Sequence, residues 1–303
     1  MRARLRLGLS RLSFAMKHPL KRRYLAATTG LLLLPGLLAS TPGSLKPDQA
    51  KPPRYTFKEL LWSDEFNYTG LPDSVKWTYD VGGTGWGNNE LQLYTKARRE
   101  NARVEKGHLV IEARKEALNE KNPYTSTRLV SRAKGGGSLT YGRVEVRAQL
   151  PSARGIWPAI WMLPDEWKYG DKSWPANGEI DIMEYVGYRP AIVQASTHCK
   201  KYYFRTNNQK TDSISVPTAT TAYHVYAMEW TPETISVFVD SKLYFTSRNE
   251  HTGWEAWPWD HPFHLLLNVA VGGDWGGKKG IDEAAFPQQM LVDYVRFYKM
   301  KQQ

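Results

Sequence analysis

Three carboxylates fall within ten residues, Gly178-Glu179-Ile180-Asp181-Ile182-Met183-Glu184-Tyr185-Val186-Gly187, in a stretch that otherwise reads as a buried β-strand. Ile180, Ile182 and Val186 suit a core-facing surface, so a period of two places Glu179 and Asp181 together on the opposite face. Glu184 breaks that parity. In an unbroken strand it would enter the core, where an unpaired carboxylate costs several kcal/mol or takes up a proton. One extra residue at Ile182 or Met183, a β-bulge, returns it to the face of the other two acids. Four effective steps of ~3.3 Å then separate the two glutamate Cα atoms by about 13 Å. Side chains leaning together across a twisted sheet bring their carboxyl groups to about 5–6 Å, the spacing of a retaining glycosidase. Asp181 between them would decide which neighbour keeps a proton. The plainer readings of such a cluster are a solvated acidic edge or a calcium site.

The elements that must position these acids are strands. From about Tyr55 onward, short apolar-polar runs alternate with Gly, Pro and Asn turns, and no long amphipathic helical pattern interrupts them. The pattern predicts strands at His108 to Ala113, Gly142 to Leu150, His224 to Trp230, Ile235 to Val239, Lys242 to Thr246, Phe263 to Val271 and Met290 to Tyr298. Asp240-Ser241 is placed to turn a hairpin. Many strands within one domain length leave an all-β sandwich or barrel, and a curved sandwich offers a concave face to a polymer.

Neighbouring segments carry a resemblance. Glu179 to Glu184 resembles the bulged signature of glycoside hydrolase family 16. Gly87-Asn88-Asn89-Glu90-Leu91-Gln92, Tyr141 to Arg147, Gly155 to Pro164, Leu267 to Trp275 and Val292 to Tyr298 are similar to that family's laminarinase branch. The likeness runs from about Trp62 to Tyr298. It implies a jelly-roll β-sandwich of two curved antiparallel sheets and an endo-acting hydrolase of β-1,3-glucan. It implies Glu179 as nucleophile and Glu184 as general acid/base, with Asp181 between them. Mixed-linkage glucan or an algal galactan are the alternative substrates, and a non-catalytic glucan-binding lectin the alternative class.

The resemblance also implies sugar contacts from Trp157, Trp161 and Trp275, whose flat indoles suit pyranose stacking, and from Asn88, Glu90, Arg128 and His198. No cofactor is expected for catalysis. A structural calcium ion is implied at the Glu65 and Gly107 carbonyls with the Asp293 carboxylate, hard oxygen donors of the kind calcium takes. The plainer role for Asp293 is a pair with Arg296.

Whole-chain properties narrow the partner. The net charge is +11, but residues 1 to 51 hold ten of the 41 basic residues and one of the 30 acidic ones. The remainder is nearly neutral, which suits a neutral polysaccharide and excludes nucleic acid as the partner. Arg22 and Arg23 precede the apolar stretch Tyr24 to Ala39, short for a membrane span, so residues 1–40 read as a basic leader and secretory signal. Residues 41–54 read as a proline-rich linker and 55–303 as the catalytic domain. The expected product is a secreted monomer, extracellular or periplasmic, with no membrane partner after signal cleavage. The single Cys199 excludes an intramolecular disulfide. As a nucleophile paired with His198 it fails on geometry, since strand neighbours point to opposite faces.

Overall fold

The computed structural model describes residues 53–131 and 135–303. The leader and nearly all of the linker lie outside the described residues. Two eight-stranded antiparallel sheets form a sandwich. One runs, in hydrogen-bonded order, Lys242–Arg248, Thr234–Val239, His224–Trp230, Gly142–Gln149, Gln288–Gln302, His108–Ala113, Ala102–Glu105, with Tyr55–Asp64 also on Gln288–Gln302. The other runs Lys210–Ser215, Ile192–His198, Glu179–Tyr185, Ile156–Pro164, Phe263–Val271, Arg128–Val130, Thr78–Asp80, with Ser138–Leu139 also on Phe263–Val271. Among the described residues the only helices are the 3-10 turns Phe204–Thr206 and Glu283–Ala285. None is long and apolar enough to cross a membrane.

Alternation in the sequence becomes layering. Along Gly142–Gln149 the even positions Val144, Val146 and Ala148 enter the core while Arg143, Glu145 and Arg147 stay at the surface. Phe263–Val271 is buried throughout: Leu265, Leu267, Val269 and Val271 face the core, and Asn268 and Ala270 face a cleft on the far side. The Asp240-Ser241 turn forms as expected, both residues having positive φ (49° and 67°), which matches the twist of the flanking strands.

The bulge is real, and two ladders locate it. Against Ile156–Pro164, Met183 sits opposite Ile160 and Asp181 opposite Trp161, so Ile182 is the extra residue. Against Ile192–His198, Asp181 pairs Ser196 and Glu184 pairs Gln194, three steps against two. Ile182 and Met183 therefore both enter the core, and the parity after them is reversed. One expectation is corrected as a result: Tyr185, not Val186, takes the core-facing position, and Val186 is buried outside the central cluster. The hydroxyl of Tyr244, on the opposite sheet, donates to the Ile182 carbonyl at 3.2 Å and ties the bulge across the core.

Glycine is required at both ends of this strand. Gly178 has φ +87°, and a Cβ there would stand 2.7 Å from Trp259 Nε1; at Gly187 it would stand 1.7 Å from the Ala153 carbonyl oxygen.

Candidate active site

Glu179, Asp181 and Glu184 line one cavity of about 560 Å³ on the face of the sheet turned away from the core. Each glutamate is gripped by an indole. Trp157 Nε1 donates to Glu184 Oε1 at 3.0 Å, and Trp174 Nε1 donates to Glu179 Oε2 at 2.8 Å. Trp157 and Trp161 share the cleft face of Ile156–Pro164, because the ladder from this strand to Phe263–Val271 runs without a register shift. Trp174 belongs to the loop that leads into Gly178.

Burial pushes all three carboxyl groups above the ordinary carboxylate range. For Glu179 the loss of water is the largest cause and the adjacent Asp181 charge the next, together raising it to about 8. Asp181 rises to about 7 through burial, moderated by its hydrogen bond with Glu179. Glu184 is driven well above its usual value by burial and then by Asp181, with Glu179 adding to the rise and His198 and Trp157 pulling the other way. All three groups are thus biased toward the protonated form, and Glu179 and Asp181 compete for one proton between them.

The opposite wall is a polar relay. Glu90 accepts from Gln92 Nε2 at 2.6 Å and Asn88 Nδ2 at 3.2 Å, and burial raises its carboxyl group. Tyr94 links Glu90 to Asn268, and Asn268 accepts from Trp161 Nε1 at 2.7 Å. Arg128 lies between the rings of Trp86 and Trp161, 4.7 and 4.6 Å from their centroids, with Nε 3.0 Å from Asp80. Asn88, Glu90, Arg128, Trp157 and Trp161 thus all line the cavity.

Two candidates stand elsewhere. Trp275 meets Trp157 edge-on at 5.3 Å and is outside the cavity lining. His198 is 6% exposed and lies behind the acids, Nε2 3.2 Å from Asp181 and 4.0 Å from Glu179, so its neighbours are carboxylates. Cys199 is buried, with Sγ toward the Ala256 carbonyl.

Reading the sequence missed Trp86, Tyr94, Trp174, Phe204, Arg205 and Asn268, all of which line the cavity. Only Asn268 carried a local signal, as the polar side chain inside the apolar run Leu265 to Val271. The others come from loops, from the 3-10 turn Phe204–Thr206 or from Gln92–Tyr94, whose pairing with Tyr124–Ser126 is not legible from spacing.

At the implied calcium position, Asp64 pairs with Val295 and Leu109 with Val292, so the register brings Glu65 and the Gly107 turn to either side of Asp293. Asp293 Oδ2 accepts from Arg147 at 2.6 Å, and Arg296 pairs with Glu65, so the anticipated Asp293–Arg296 pair is replaced by these two.

Residues 89–296 match the model of the glycosyl hydrolases family 16. A β-glucanase of Rhodothermus marinus is 54% identical over 285 residues, covering 92% of this chain and 97% of its own. The structure of the laminarinase from Rhodothermus marinus superimposes with a TM-score of 0.78 at 57% identity, over 83% of this chain and all of the other. That of the laminarinase from Flavobacterium sp. UMI-01 does so with a TM-score of 0.70 at 39% identity, over 80% of this chain and all of the other.

Proposed function

The chain belongs to the glycosyl hydrolases family 16, and from that membership we propose that it cleaves laminarin-type β-1,3-glucan internally, retaining anomeric configuration through a glycosyl-enzyme. The observation that carries this reading is the Ile182 bulge, which turns Glu184 into the cavity already faced by Glu179 and Asp181.

Glu184 starts protonated. Its Oε1 accepts the Trp157 indole N–H, which leaves Oε2 to carry the acid proton toward the glycosidic oxygen. Glu179 surrenders the shared proton to Asp181 and attacks the anomeric carbon; the C1–O bond breaks as Glu184 protonates the leaving glucan. The ionised Glu184 then takes a proton from water, whose oxygen displaces Glu179 and restores the first configuration. No catalytic cofactor enters these steps. Trp157, Trp161 and Trp86 supply apolar faces for pyranose rings, and Asn88, Glu90 and Asn268 supply hydrogen bonds to hydroxyls. The register that brings Glu65 and the Gly107 turn to either side of Asp293 supports a structural calcium ion held by the Glu65 and Gly107 carbonyls with the Asp293 carboxylate. The basic, apolar leader supports export of a monomeric enzyme, which sequencing of the mature N-terminus and gel filtration would test.

The purified chain, incubated with laminarin, lichenan and agarose, should release short oligosaccharides fastest from laminarin, with the β-anomer appearing first by NMR. Glu179→Gln and Glu184→Gln should each lower turnover by on the order of 10² or more while leaving the circular dichroism unchanged. Initial α-anomer, or turnover undiminished in both variants, would refute the mechanism.

A further inference from the structure

The donor atoms of Glu179, Asp181 and His198 all lie within 4.8 Å of one another. The ladder explains their meeting. Glu179 stands directly opposite His198, and Asp181 lies two residues on, on the same face. Two ligands of one tetrahedral zinc ion stand about 3.4 Å apart at ordinary bond lengths. The 3.2 Å between His198 Nε2 and Asp181 Oδ2 is already close to that, and the 4.0 Å to Glu179 Oε1 closes with a small side-chain rotation.

A second observation is independent of the clustering. Asp181 is 3% exposed, and apart from the proton it shares with Glu179 its Oδ2 has no aligned hydrogen-bond donor. A buried carboxylate oxygen in that state is costly, and a cation would relieve it. His198 is bracketed by the rings of Trp174 and Phe204, 6.0 and 5.9 Å away, which hold Nε2 toward the acids although Nδ1 has no hydrogen-bond partner.

We propose that Glu179, Asp181 and His198 form a binding site for zinc or a similar divalent transition ion, and that the bound ion switches hydrolysis off. The binding rests on this geometry alone; the inhibition rests also on Glu179 being the nucleophile. One imidazole nitrogen and two carboxylate oxygens make a borderline-soft set that suits zinc. Calcium takes six to eight oxygen ligands and finds too few here, and magnesium prefers an all-oxygen octahedral shell to an imidazole nitrogen. The remaining position opens to the cleft, where water completes the shell. The proton shared by Glu179 and Asp181 passes to solvent, and no redox change occurs. A Glu179 oxygen whose lone pair is committed to the metal cannot attack the anomeric carbon. Among the described residues no other three His, Cys, Asp or Glu side chains converge in this way.

Calorimetric titration of the full chain with zinc chloride should show one strong site, and calcium chloride should show none at this position. His198→Gln and Asp181→Asn, each checked for folding by circular dichroism, should weaken the strong zinc site at least tenfold. In the unmutated enzyme, laminarin hydrolysis should fall as that site fills and recover on addition of EDTA. Enzyme first converted to its 2-deoxy-2-fluoroglycosyl ester on Glu179 should no longer take up zinc, a result that depends on no variant. Zinc affinity unchanged in both folded variants, or unchanged in the ester, would overturn the site. Zinc bound at the trio with hydrolysis unaffected would overturn the inhibition. Should the chain prove inactive on every glucan, calorimetry would still decide the site, so the two readings fail separately.

Discussion

Asp181 acts on both glutamates at once, because its negative charge raises both Glu179 and Glu184. Asp181→Asn removes that charge, so both groups should ionise more easily. We expect both limbs of the kcat/KM profile on laminarin to move toward acid while the maximum falls; limbs that stay in place would refute the coupling. A second consequence concerns stability. The Glu184 carboxyl group titrates well above its ordinary value of 4.5 in the folded chain, so above that pH the unfolded state ionises first and binds fewer protons. Folding stability is therefore lost as pH rises from about 4.5 through the folded value. Glutamine cannot ionise. Glu184→Gln should melt several degrees above the unmutated chain at pH 7, at about 2–4 °C per kcal/mol for a domain of this size, and show no such gain near pH 4.

At the scale of elements, the strand Glu179–Tyr185 depends on a tie from the other sheet. Tyr244 donates to the carbonyl of the one residue that both ladders skip. Tyr244→Phe leaves that buried carbonyl without its donor and should cost about 1–3 kcal/mol, measured by urea unfolding. Because the bulge aims Glu184, kcat should fall more than KM rises; a loss of stability with unchanged kcat would show that the bulge holds without Tyr244. The need for a bulge was legible in the sequence, since Glu184 has no tolerable place in an unbroken strand. Its effect beyond Glu184 is lost to a strict period of two, because one extra residue at Ile182 or Met183 reverses the parity of everything after it. Tyr185 rather than Val186 therefore faces the core.

For the molecule as a whole, Tyr55–Asp64 and His108–Ala113 lie end to end along one edge of the long strand Gln288–Gln302, opposite Gly142–Gln149, and gather segments remote in sequence around Asp293. An ion bridging them would stabilise only the folded state. Melting temperature should be higher in excess calcium than in EDTA, and Asp293→Asn should abolish the difference; equal melting in both buffers would remove calcium from the account. By itself the sequence determined the all-β class, the cleft strands and the three acids, because a period of two assigns each side chain a face locally. It also placed the cationic excess in residues 1 to 51, away from the domain. Only the tertiary structure decided which residue bulges, which indoles grip Glu179 and Glu184, that Trp86 and Trp161 enclose Arg128, and that His198 sits behind the acids. Those contacts join residues whose meeting is set by strand register and loop path, and neither quantity is written in the spacing of a single stretch of chain.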